Sequence, residues 1–235
     1  MLINADFSSP AIVKTREQAW VASPQAGVER IMLDRIGAEK ARATSIVRYA
    51  PDSFFPRHQH PGGEEILVLS GTFCDEHGQY DAGWYIRNPP QSGHQPYSEE
   101  GATIFVKLWQ MSEEGQTTVR RDTRDPARWQ QMKDREVCPL FGNDHEVVCL
   151  QRLPARTRLF DQCAGGAEIL VLEGQLYLGG LVSSSTDMHE AGTWIRLPEG
   201  YCPEVVAGDA GATCYVKTGH LASTSKEAAA CRQDR

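Results

Sequence analysis

The sequence has no long apolar run, no Cys-x-x-Cys pair and no surplus of basic residues. Ile66-Leu67-Val68-Leu69 is typical of its apolar stretches. That is far short of the roughly 20 residues a membrane-spanning helix needs, so no membrane partner is expected. Met1-Leu2-Ile3-Asn4-Ala5-Asp6 lacks the basic start and apolar middle of a secretory signal. The seven cysteines are odd in number and form no tight framework. Reduced thiols and a cytoplasmic location follow as expectations. The net charge of -7, with no basic stripe interleaved with aromatics, argues against a nucleic-acid surface. What remains is the composition of a soluble globular protein, long enough for one large domain or two small ones.

What is present is a succession of short strand signals. Arg30–Arg35, Ala43–Tyr49, Ile66–Leu69, Trp84–Arg87 and Ala102–Trp109 are rich in β-branched and aromatic residues. Gly and Pro punctuate them at Pro51, Gly71, Gly83, Pro89-Pro90 and Gly101. This pattern predicts an all-β sandwich or barrel. Trp20 reads as an anchor within an extended lead-in. Ser112 to about Arg128 is polar and of mixed charge and reads as a solvated linker. The predicted domains are 1–120 and 121–235. The tail after His220, which includes Cys231, reads as loose.

The chemistry concentrates in His58-Gln59-His60-Pro61-Gly62-Gly63-Glu64-Glu65. On a strand, residues two apart point to the same face, so His58 and His60 share one. A third histidine, His94, follows the Pro89-Pro90 turn. Imidazoles with a carboxylate suit a first-row metal. The predicted site is one divalent ion held inside a barrel by His58, His60, Glu64 and His94.

The second half repeats the first. Glu168–Gly174 matches Glu65–Gly71, Ala191–Pro198 matches Ala82–Pro89, and Gly211–Lys217 matches Gly101–Lys107. In this alignment Asp161 stands opposite His58, Cys163 opposite His60, Ala167 opposite Glu64, and Pro203 or Glu204 opposite His94. The second copy keeps the strands and loses the ligand set together. Glu64 changes along with the histidines, whereas Glu65 is kept as Glu168. This favours Glu64 as the ligand and a structural role for Glu65, with Glu65 as the alternative. Asp161, Cys163 and Glu204 form either a second, different site or a pocket without metal. Tyr85, Tyr97 and Arg87 are candidate acid–base groups by their nearness in sequence.

These residues carry a resemblance. His58-x-His60, three residues, Glu64, six residues and Gly71 resemble the first cupin motif. Gly83, five residues, Pro89 and then His94 resemble the second. Arg48–Pro51, His60–Glu65, Asp75–Gly78 and Arg87–Pro90 are similar to the cupin domain of ChrR-type anti-sigma factors. The resemblance is strong over residues 28 to 111. Asp52, Gln91 and Ser98 depart from it, at positions that are usually Gly, Gly and Asn.

The resemblance implies two cupin-type β-barrels of the jelly-roll kind in tandem, a bicupin whose second barrel is degenerate. It implies a metal-binding sensor or regulatory protein that responds to a small-molecule ligand or an oxidant. Zinc is the first expectation, with iron, manganese or nickel as alternatives. The zinc module by which such factors grip a sigma factor has no counterpart here, so no sigma-factor partner is expected. The alternative reading is a non-haem iron dioxygenase or related small-molecule enzyme. Exposed strand edges leave a homodimer open.

Overall fold

The computed structural model describes residues 1–38, 40–111, 117–162, 164–179 and 187–221. Among these, every regular element longer than three residues is a β-strand, as the strand and turn signals predict. The chain forms two compact units. One comprises Met1–Ala5 and Ala19–Asp125, the other Asp6–Gln18 and Pro126–Arg235.

In the first unit the main sheet runs Leu2–Ile3, Val28–Gly37, Ala41–Tyr49, Ala102–Leu108, Glu64–Asp75, Trp84–Asn88, Val119–Asp122, with antiparallel ladders between them. Glu64–Asp75 is its centre. Its first five residues are all buried, which explains why Ile66–Leu69 is continuously apolar instead of alternating. Ile66 and Val68 join Tyr49, Phe73, Tyr80, Ile86, Ile104 and Val106 in one core. The strand bends at Gly71, where φ is +68° and a Cβ would stand 2.0 Å from the Gly101 carbonyl oxygen. Only glycine fits there.

The second unit shows the same order. It runs Gln130–Gln131, Glu136–Gly142, Val147–Leu153, Val205–Thr218, Ala167–Leu178, Thr193–Leu197, Ala11–Lys14. Gly174 occupies the place of Gly71, with φ at +71° and a Cβ position 2.1 Å from the Gly211 carbonyl oxygen. Register agrees as well. Glu65 stands opposite Arg87 and Lys107, and Glu168 opposite Arg196 and Lys217. All six side chains are buried. The Glu65–Arg87 pair is 3.0 Å long.

Two features differ from the sequence expectation. Arg120–Asp122, read as solvated linker, lies in the strand Val119–Asp122, paired with Trp84–Arg87. Its mixed charge disguised an edge strand whose arginine bonds inward. The lead-in, read as part of the first half, contributes Ala11–Lys14 to the second unit, where it pairs with Thr193–Arg196. The two edge strands end alike. The Thr123 hydroxyl donates to the Gly83 carbonyl at 2.6 Å, and the Thr15 hydroxyl to the Gly192 carbonyl at 2.7 Å. Trp20 is the expected anchor, with the Arg48 guanidinium 4.2 Å above its ring. Trp129 lies under Arg152 in the same way at 3.7 Å.

Asp52 and Gln91, which replace motif glycines, keep the glycine-like backbone, with φ at +55° and +68°. Cys74, Cys138, Cys149 and Cys214 are buried and carry no disulfide. Cys202 is disulfide-bonded, which corrects the expectation of wholly reduced thiols. Cys163, residues 112–116 and the tail from 222 lie outside the described residues.

Candidate metal centre

The histidines are delivered by a two-stranded ribbon. His58–His60 pairs with Ser92–His94, so that His58 stands opposite His94 and His60 opposite Ser92. The three rings gather with centroids 4.6 to 5.1 Å apart. One donor atom from each lies within 4.8 Å of the others. His60 and His94 are buried and His58 is half-buried.

Glu64 joins them from the central strand. Its Oε2 is 3.5 Å from His60 Nε2 and 3.4 Å from His94 Nε2, and the two Nε2 atoms are 3.1 Å apart. Two donors each about 2.1 Å from one ion stand roughly 3.0 Å apart at a right angle and roughly 3.4 Å apart at the tetrahedral angle. The observed spacings of 3.1 and 3.4 Å fall in that range, and the third, 3.5 Å, stands just beyond it.

Two rings have their tautomer set from behind. His58 Nδ1 lies 2.8 Å from the Pro56 carbonyl. His94 Nδ1 lies 3.3 Å from Asp75 Oδ2. An Nδ1–H donated to oxygen leaves each Nε2 with its lone pair free, the arrangement a metal ligand requires. The Nε2 atom of His94 thus presents its lone pair to Nε2 of His60, at hydrogen-bond distance.

Electrostatics follow from burial and closeness. Burial alone would push the Glu64 carboxyl up, but His60 and His94, with a hydrogen bond from Asn88, hold it below the usual range. Asp75 is likewise depressed. Burial opposes this, but the His94 contact and the His77 backbone N–H outweigh it. Burial lowers His60. His94 is raised, because Glu64 and Asp75 outweigh its burial.

Glu65 is on the other face of its strand, bonded to Arg87, so the carboxylate beside the histidines is Glu64. Arg87 and Tyr85 are in register with Glu65 and Leu67, on the face turned away from Glu64. Tyr97 stands opposite Cys74 and Phe54. None of the three proposed acid–base groups meets the histidines. Sequence reading missed four others. Asn88 Nδ2 donates to Glu64 Oε2 at 2.9 Å. Asp75 backs His94, Arg120 bonds Asn88, and the buried hydroxyl of Tyr49 feels the Glu64 charge. Asp75 and Asn88 sat inside the quoted Asp75–Gly78 and Arg87–Pro90 blocks, which was the available signal.

In the second unit the matching places hold no such cluster among the described residues. Asp161 is exposed and paired with Arg135 at 3.3 Å. Glu204 is paired with Arg158 at 2.5 Å. Both line a cavity of about 290 Å³ with Phe160, Leu197 and Tyr201.

Residues 8–112 match the family model of the ChrR cupin-like domain. No curated protein matches the chain in sequence. Solved structures do match in shape. Escherichia coli Ylba superposes with a TM-score of 0.67 at 15% identity, over 92% of this chain and 93% of that one. The E. coli pirin YhhW in complex with nickel(II) gives 0.64 at 12%, over 89% and 98%. Bacillus subtilis oxalate decarboxylase, with Mn(II) centres, gives 0.56 at 11%, over 89% and 77%. The fold is thus the cupin fold in two tandem barrels, and residues 8–112 are similar to the ChrR cupin-like domain. Its ChrR cupin-like segment contains His58, His60, Glu64 and His94.

Proposed function

We propose that the first barrel is a metal-binding cupin in which His58, His60, His94 and Glu64 together hold one divalent ion. The observation that carries this is the convergence of the imidazole donors of His60 and His94 on Glu64, with His58 beside them and two tautomers set from behind. Zinc is the first choice for three imidazoles and a carboxylate, with iron, manganese and nickel as alternatives. A divalent ion so held keeps one positive charge and would polarise an oxygen ligand.

The chain is then a bicupin. The common strand order, the paired glycines and the Trp–Arg stacks support descent of both barrels from one unit. Ala11–Lys14 closes the sheet of the second barrel, as Val119–Asp122, beyond the family-matched segment, closes that of the first. The second barrel carries Ala167 and Leu197 where the first has Glu64 and Asn88. It has kept the scaffold without the centre.

On this reading the protein is a cytoplasmic sensor or ligand-binding regulator of the ChrR cupin kind. It responds to a small molecule or an oxidant at the metal. Cys74 supports the metal as the point of response, because burial raises its thiol and withholds the reactive thiolate. A second reading, a metal-dependent enzyme such as a non-haem iron dioxygenase, draws on Tyr49. Burial and the Glu64 charge keep its phenol protonated, as a proton donor near the centre requires.

Elemental analysis of the purified protein tests the metal. About one ion per chain is expected, lost in both His58→Ala and Glu64→Ala. A well-folded wild type that takes up no metal on reconstitution would sink the reading. Iron, with O₂ uptake on a small substrate, would select the enzyme; zinc would favour the sensor.

A further inference from the structure

Arg120 lies beyond the segment that matches the family model, in the stretch whose composition reads as linker. Its guanidinium is nonetheless spent on the inside of the first barrel. Nη2 donates to Asn88 Oδ1 at 2.6 Å. Nε donates to the Tyr80 hydroxyl at 3.0 Å. Nη1 donates to the carbonyl oxygens of Arg87 and Val119 at 3.1 and 2.9 Å. Each side-chain partner leads onward. Asn88 donates to Glu64 Oε2. The Tyr80 hydroxyl is close enough to Asp75 to feel its charge, and Asp75 Oδ2 stands 3.3 Å from His94 Nδ1.

We propose that Arg120 is a positioning residue of the metal centre, the common root of a hydrogen-bonded arm that orients Glu64 through Asn88 and of a second arm that reaches His94 through Tyr80 and its neighbour Asp75. This rests on the metal-binding reading above. Its planar fork matters, since one guanidinium can serve two side chains and two carbonyls at set angles and an ammonium cannot.

The second barrel provides the comparison. Register places Ile12 opposite Ile195 as Arg120 is opposite Ile86. Leu197 stands opposite Ala167 as Asn88 is opposite Glu64. His189 stands opposite Leu176 as Tyr80 is opposite Phe73. Where the ligand glutamate is absent, the root and the next residue of both arms are absent with it. A purely structural arginine on an edge strand would have no reason to leave with the ligands.

The test uses the full chain, stripped of metal and titrated with Co²⁺, with affinity read by competition and geometry by the visible spectrum. Arg120→Leu is expected to weaken Co²⁺ binding about 10- to 100-fold and alter the spectrum. Arg120→Lys is expected to restore at most part of the loss. Arg124→Leu removes the same charge from an exposed neighbour paired with Asp122 and Asp81 and should bind as wild type does. Tyr80→Phe keeps the ring and cuts only the His94 arm. It should weaken binding by a smaller factor, and it answers the question should Arg120→Leu fail to fold. Wild-type affinity and spectrum in Arg120→Leu would overturn the proposal while leaving the metal site standing, as would an unaltered Tyr80→Phe if Arg120→Leu does not fold. A wild type that takes up no Co²⁺ would remove the metal-binding reading and this proposal together.

Discussion

Asp75 Oδ2 stands 3.3 Å from Nδ1 of His94, with both side chains buried. The carboxylate holds a proton on Nδ1 and aims Nε2 at Glu64 and His60. Asp75→Ala should leave a ring free to turn over and weaken metal binding about 10- to 100-fold. A competition titration against a chelator reads the change. Wild-type affinity in this variant would show that the contact orients nothing.

Adjacent glutamates are expected to fail in opposite ways. Glu65→Gln leaves the Arg87 guanidinium buried without its anionic partner and should cost about 3 kcal/mol or more of stability, with metal stoichiometry kept. Glu64→Gln should lose metal affinity and cost the metal-free protein far less. Urea unfolding of the metal-free variants, beside metal content, separates the two; a swap of the two outcomes would make Glu65 the ligand.

Alkaline pH should act on the second barrel through its thiols. Burial pushes Cys149 up to about 11 and Cys214 higher still. The unfolded chain releases these protons near about pH 8.5, whereas the folded one holds them. Their contribution is therefore fully present below that pH and lost as pH rises through the folded values. Urea midpoints should fall between about pH 8.5 and about pH 11, and less steeply in Cys149→Ala and Cys214→Ala. Native protein should also resist thiol alkylation at mildly alkaline pH; ready labelling of Cys214 without unfolding would refute this.

Gly71→Ala and Gly174→Ala should be alike in severity. Each places a methyl about 2 Å from a carbonyl oxygen at positive φ, and each should cost at least about 2 kcal/mol by calorimetry. Gly142, with nothing within 4 Å of its Cβ position, is the control, expected to change stability by less than about 0.5 kcal/mol.

The barrel and the three histidines were legible because each depends on local pattern. Ile66–Leu69 shows a strand buried on both faces, and His-x-His puts two donors on one side. That Glu64 stands beside the histidines while Glu65 pairs with Arg87 was legible through the repeat, because Ala167 and Glu168 separate the position that varies with the histidines from the salt-bridge position. What surrounds the centre was not legible. Arg120 reaches Asn88 across 32 residues and Tyr80 across 40, and nothing in the run Arg120-Arg121-Asp122 distinguishes an inward guanidinium from a solvated one. Tyr85 and Arg87 were drawn in by nearness along the chain, but strand alternation turns them to the opposite face. Cys202 could not be known to be oxidised from spacing alone.

The crossed edge strands bear on how such a gene can be divided. A break at the boundary of the matched segment, or at the midpoint of the repeat, leaves each fragment holding the other's closing strand. Neither product would be a whole barrel, and each would present a bare β-edge to whatever strand it meets. The self-sufficient parcels are interleaved: 19–125 carries the three histidines and Glu64, while 6–18 belongs with 126–235. Recombination that shuffles single cupin modules would be selected against here unless it moved the two pieces together. The exchange therefore acts as a lock on the chain, because each sheet takes its closing strand from across the break.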